Sequence, residues 1–142
     1  MALTVVKPVR VKLKSVIDTY DGQPETIEMD IEGQLRQNKD THYIRYIDEQ
    51  EEGQITTIIK MTQDRAIITR SGAVTMRLPL QKDVIEQGQY ENKLGKLPLD
   101  VRAQALHHHQ AHGEFHTTYE LLMGGQALGL YTLTIQYSEV GK

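Results

Sequence analysis

The chain contains no cysteine. That absence excludes a disulfide framework, a thiolate zinc site and a thiol nucleophile. No run is long and apolar enough to cross a bilayer as a helix, and Met1-Ala2-Leu3-Thr4-Val5-Val6-Lys7-Pro8 lacks the basic stretch and apolar core of a signal peptide. A cytoplasmic protein with no membrane partner is the expectation. No helical period of useful length occurs either. The formal net charge is −3, which points away from nucleic acid as a partner. Basic residues gather near the start as Lys7, Arg10, Lys12 and Lys14. The last three alternate with Val9, Val11 and Leu13, so they read as the wet face of one strand.

What the chain does contain is strand after strand of two-fold alternation. From Leu97 to Tyr137 three long strands run in succession. Leu97, Leu99, Val101, Ala103 and Ala105 alternate with polar residues, as in a strand with one face in a core. A loop at Gln110-Ala111-His112 sets Val101 opposite Leu121, Ala103 opposite Tyr119, Ala105 opposite Thr117 and His107 opposite Phe115. Arg102 then meets Glu120 on the other face, so apolar pairs with apolar and charge with countercharge. At Gly124-Gly125 a plain two-residue turn would bury Leu128, Leu130 and Thr132. A three-residue loop with a bulge buries Tyr131, Leu133 and Ile135, the larger set, and is the expected arrangement.

Earlier segments follow the same rhythm. Val9 to Ile17 forms a first strand, and Ile27, Met29, Ile31 and Leu35 mark a second whose outer face is Glu28, Asp30 and Glu32. These two fit a hairpin with opposite charges on their wet sides. Thr41 to Ile47 places Ile44 and Tyr46 on one face. Asp48 to Gly53 is an acidic turn without the ligand order of a calcium loop. Ile55 to Met61, Ala66 to Arg70 and Val74 to Leu80 add three strands, while Lys82 to Gln87 has room for one or two helical turns. The total is about nine strands in one domain over residues 1–142, a length that encloses a sizeable core unaided. Many short strands indicate a barrel or a sandwich, and up-and-down order removes exposed edges by closure. A closed antiparallel β-barrel of about 8–9 strands is therefore the expected fold class, its interior either filled or able to hold one small ligand.

Three further features carry a resemblance: Arg70-Ser71-Gly72 after an apolar strand, Tyr90-Glu91-Asn92-Lys93-Leu94-Gly95 before the strand ending at Leu106, and Gly113 to Tyr119 leading to Gly124-Gly125. In order and spacing the chain resembles the YwiB-like family of bacterial proteins of unknown function. Asn92 and Leu94 stand where the family pattern would carry threonine and an aromatic. The resemblance implies a lipocalin-like (calycin) barrel and brings no activity, catalytic residue or cofactor with it. The Gly-x-Trp signature of secreted lipocalins is absent, since the chain has no tryptophan, so the kinship concerns architecture.

Candidate sites are few. If Ala66 and Ile68 face inward, so does Arg70. Its permanent charge then needs a carboxylate, Asp48 or Glu139, or an anionic ligand. Arg70 with Tyr90 and Tyr46 would form the polar end of a pocket, with Tyr119 among the bulky inward residues and Arg77 as a second, outward-leaning cation. His107, His109 and His112 form a weak metal candidate, because two imidazoles on one strand face can share an ion. A solvated hairpin tip is the simpler reading. No Gly-x-Ser-x-Gly elbow or glycine-rich phosphate loop occurs, so neither catalysis nor a cofactor is expected. The leading expectation is a non-enzymatic barrel that binds a small, partly apolar molecule. The alternative is a ligand-free barrel acting as an interaction module, monomeric or as a homodimer.

Overall fold

The computed structural model describes residues 5–51 and 53–140. Met1 to Thr4, weighed above as part of a targeting segment, Glu52 of the acidic turn and the last two residues lie outside the described residues. Ten strands succeed one another: β1 (Val5–Thr19), β2 (Glu25–Asn38), β3 (Thr41–Gln50), β4 (Gly53–Met61), β5 (Arg65–Gly72), β6 (Thr75–Gln81), β7 (Ile85–Asn92), β8 (Gly95–His109), β9 (Glu114–Met123) and β10 (Gln126–Glu139). Each pairs antiparallel with its sequence neighbours, and β1 closes on β10, with Val11 opposite Tyr137 and Leu13 opposite Ile135. The expected up-and-down barrel is therefore present, with ten strands in place of eight or nine.

Alternation explains the core directly. Val9, Val11, Ile44, Ile59, Met61, Leu78, Leu80, Val101, Phe115 and Ile135 point inward from seven strands and are almost wholly buried. Their polar alternates face water. On β1 and β2 the outer residues meet as Arg10 opposite Glu32, Lys12 opposite Asp30 and Lys14 opposite Glu28, and Arg10 reaches diagonally to an ion pair with Asp30.

The additional strand is β7, where helical turns had been allowed. Its inward side offers Glu86, Gly88 and Tyr90, so the apolar signal that marks a half-buried strand is missing. Its pairing with β6 covers only Thr75 to Arg77. That ladder ends two residues before Pro79, which has no N–H to contribute.

Two bulges correct the expected registers. On β8 the shift between Ala103 and Ala105 places Leu106 opposite Thr117 and His108 opposite Phe115, so His108 rather than His107 faces the interior. The Thr117 hydroxyl donates to the Ala105 carbonyl at 2.8 Å and satisfies the backbone beside the bulge. On β10 the turn is the plain two-residue Gly124-Gly125 connection, with φ of 58° and 82°, and the bulge lies farther on, between Ala127 and Gly129. The consequence matches the expectation: Leu133 and Ile135 are buried and Tyr131 packs against the core.

Up-and-down order sorts the connections between two ends. The β1–β2, β3–β4, β5–β6, β7–β8 and β9–β10 turns gather at one, here the mouth end. The remaining turns lie at the other, the terminal end, where β1 begins and β10 finishes. There a 3-10 turn, Gln110–His112, hands over to Gly113 at φ 63°, and a Cβ on Gly113 would collide with the Tyr137 carbonyl oxygen. Gly113→Ala should therefore cost more than the about 1–2 kcal/mol of the left-handed backbone alone. Chemical denaturation measures the loss, and an unchanged midpoint would contradict this packing.

Candidate functional site

The site begins with one row of cross-strand neighbours on the inner face. Tyr46 lies opposite Thr57, Thr57 opposite Arg70, and Arg70 opposite Met76, so four adjacent strands each contribute one residue at the mouth end. Tyr119, stacked on Tyr131 at 5.2 Å with rings nearly parallel, faces the same space from β9. Together with Leu13, Met29, Ile59, Ile68 and Leu133 these side chains enclose a cavity of about 190 Å³, whose rim carries the exposed Ile27 and Gln50. Towards the terminal end Val9, Val11, Ile44, Met61, Phe115 and Ile135 are fully buried in one packed cluster.

The polar groups of this mouth are short of partners. Ion pairs among the described residues join Lys7–Glu139, Arg10–Asp30, Arg65–Glu86, Lys96–Glu91 and Arg102–Glu120, and none includes Arg70. Neither carboxylate expected to neutralise it does so. Asp48 lines the same mouth but accepts from the Gln50 side chain, while Glu139 sits at the terminal end against Lys7. Thr57 is 2% exposed and its Oγ1 makes no hydrogen bond of acceptable geometry among the described residues. It stands near enough to the Tyr46 phenol to favour the phenolate slightly. Buried polar atoms are nearly always paired, so a hydroxyl without a partner beside a guanidinium without an ion pair, among the described residues, sets this mouth apart from the rest of the barrel.

Burial raises the pKa of Tyr46 above the ordinary 10.0, with Thr57 and Arg70 pulling it back and Asp48 adding to the rise. Burial also raises Tyr119, against a lowering by Arg70, and Tyr131. All three phenols thus keep their protons near neutral pH. A neutral phenol can donate a hydrogen bond, so the mouth offers donors and one fixed positive charge set in an apolar wall.

Of the residues singled out from sequence, the structure brings Arg70, Tyr46 and Tyr119 together. Tyr90 continues the same row, opposite Met76, yet does not line the cavity. Arg77 points outward, opposite Thr69 and Gln89. His107 and His109 stack on the outer surface at 6.4 Å, with His116 rather than His112 as the third neighbour. Among the described residues no three histidine or carboxylate side chains converge on a point that would hold a metal.

Sequence reading passed over a second polar cluster, at the terminal end. His42 and His108, 5% and 8% exposed, both approach the Tyr137 hydroxyl, at 2.9 Å from Nδ1 of His42 and 2.8 Å from Nε2 of His108. For neutral imidazoles, donor counting fixes the direction of every link. His108 Nδ1 faces the Thr62 carbonyl at 3.2 Å, which can only accept, so that nitrogen carries the proton and Nε2 accepts from the tyrosine. The Tyr137 oxygen then accepts from His42 Nδ1–H, and His42 Nε2 accepts from the Gln37 amide at 3.3 Å. One continuous chain thus ties β2, β3, β10, β8 and the β4–β5 turn across the end of the barrel, with both imidazoles neutral.

Burial is the main cause that lowers both histidines below their ordinary 6.5, with Lys7 acting on His42 and with His42 and His109 acting on His108 against the opposing Thr62 bond. Below pH 6.5 the unfolded chain therefore binds more protons than the folded one. Stability should be fully present above that pH and fall as the solution is acidified through the folded values. Melting temperatures measured from neutral to mildly acidic pH test this; a flat profile would contradict the neutral chain.

Comparison with known proteins places this geometry in a family. The family described as "Domain of unknown function (DUF1934)" matches residues 11–135. The uncharacterized β-barrel protein YwiB of Bacillus subtilis (strain 168) is 28% identical over 134 residues, covering 92% of each chain. The crystal structure of the ywiB protein from Bacillus subtilis superimposes with a TM-score of 0.76 at 24% identity, over 94% of this chain and 93% of that one. With the family's pattern spanning β1 to β10 and the same barrel found in a solved relative, the chain belongs to the DUF1934 family of β-barrel proteins of unknown function.

Proposed function

We propose that this protein binds a small, partly apolar molecule in the mouth of its barrel and carries out no chemistry on it. The observation that supports this most is the cavity of about 190 Å³ bounded by Tyr46, Thr57, Arg70 and Tyr119, in which the Thr57 hydroxyl makes no hydrogen bond of acceptable geometry among the described residues. A cavity of about 150 Å³ is enough for a benzene ring, so the occupant is small. A water-exposed barrel fits the outer faces of β1 and β2, where lysines and carboxylates alternate, since a lipid-facing barrel needs an apolar outer band. Native mass spectrometry of untagged protein from its own host provides the test. A small bound mass that is released on unfolding and absent from Ile27→Trp, which narrows the rim, is the expected result. An unliganded spectrum from freshly lysed cells would count against it.

A second reading, an interaction module, draws on the outer surface. Arg36, Arg45 and Lys60 surround exposed Val6 and Ile58, with Arg36 and Lys60 about 6 Å from the two sides of the Tyr43 ring. The outward positions of β3 and β4 between Tyr43 and Ile47 and between Thr56 and Lys60 bear no carboxylate. Such a face suits an acidic protein segment. Retention on immobilised polyglutamate at low salt, lost in Arg36→Glu with Arg45→Glu but kept in Lys12→Glu with Lys14→Glu, would support it; equal loss in both would not.

A further inference from the structure

The geometry points to a monocarboxylate of about benzoate size as the class of molecule that the mouth takes, an inference that rests on the ligand-binding reading above. Arg70 is half-buried, carries a permanent charge and has no ion pair among the described residues, so its guanidinium is available to an anion that enters the mouth. Its two cross-strand neighbours are Thr57 and Met76. On one side of the guanidinium there is thus an unsatisfied hydroxyl, and on the other an apolar wall. A planar carboxylate matches the guanidinium fork with two parallel bonds, whereas a neutral amide matches it poorly.

The neighbouring phenols complete the recognition. Tyr119 has no hydrogen-bond partner for its hydroxyl among the described residues, is almost fully buried, and with Tyr46 lines the same cavity. Held protonated by their surroundings, both are suited to donate toward an anion rather than to repel it. The remaining wall is apolar apart from Ser15, with Leu13, Met29, Ile59, Ile68 and Leu133 forming most of it. An anion without an apolar body, such as inorganic phosphate, would leave that wall wet. Asp48 is the acid on the rim, engaged by Gln50, and a second negative charge on the ligand would meet it, which favours one carboxylate over two.

The test is an amide-resonance titration of the full chain with three probes at neutral pH: benzoate, benzamide and inorganic phosphate. Benzoate is expected to shift the resonances of Tyr46, Thr57, Arg70 and Tyr119, and to bind at least about tenfold more tightly than benzamide, which is about 1.4 kcal/mol. Arg70→Met should bring benzoate and benzamide to parity. Arg70→Lys, which keeps the charge, should retain part of the preference, and Thr57→Val should weaken benzoate alone. If benzamide or phosphate binds the mouth as tightly as benzoate, the carboxylate assignment is overturned while ligand binding stands. If none of the three moves a mouth resonance up to its solubility limit, both readings fall.

Discussion

Tyr137→Phe should destabilise the barrel by about 2–6 kcal/mol at neutral pH, although it removes one oxygen and leaves the ring in place. That oxygen is the single acceptor for His42 Nδ1–H and the single donor to His108 Nε2. Without it a buried donor and a buried acceptor are stranded together, each at about 1–3 kcal/mol. The deficit should also depend on pH in a defined sense. In the native protein the tyrosine proton donated to Nε2 favours the neutral form of His108. The variant lacks this and loses less on acidification, so the gap between the two proteins should narrow as pH falls below 6.5. Paired urea titrations at pH values on either side would show it. A gap that stayed constant would mean that the chain does not run in the direction deduced from donor counting.

The second large effect falls on Phe115, the only phenylalanine, fully buried and meeting His108 edge to face with ring centroids 6.2 Å apart. Its neighbours across the ladders are His108 on β8 and Ile135 on β10. Truncation to alanine removes an aromatic ring where two rigid, paired strands cannot close in, and should cost about 3–5 kcal/mol. For a chain of this size that corresponds to a fall of about 10 °C or more in melting temperature. Loss of the ring also frees the His108 imidazole to tilt away from Tyr137, so Phe115→Ala and Tyr137→Phe should not be additive. A double variant that lost the full sum would show that packing and the hydrogen-bonded chain act independently.

Much of this architecture was legible because alternation is a local property. Val9, Val11 and Leu13, or Ile44 and Tyr46, state which face is buried without reference to any partner strand. The Arg70 site was legible for the same reason, two residues beyond Ile68 on one strand. Tyr90, grouped with it from sequence, does not line the cavity, and Arg77 takes the outward position towards which its alternation leans. Cross-strand rows and the outer side of β6 are set by registers that involve other segments. Thr57 could have been found, since it continues the inward series Ile55, Thr57 and Ile59. His42 and Tyr137 likewise lie two residues from Ile44 and Ile135.

His108 shows the harder case. Continued alternation from Ala103 leads to Ala105 and His107, whereas the structure skips a residue and buries Leu106 and His108. The clue was the larger side chain stranded on the wet face, Leu106, the same argument that selects Tyr131, Leu133 and Ile135 on β10. By itself the chain determined that its strands have one greasy and one wet side and that Arg70 lies on the greasy one, while the pairing of β1 with β10 closed the cylinder. Only the tertiary structure decided where the two bulges fall, because a bulge is chosen by the strand next door. With that choice it decided which imidazole is inside and which hydroxyl is left without a partner.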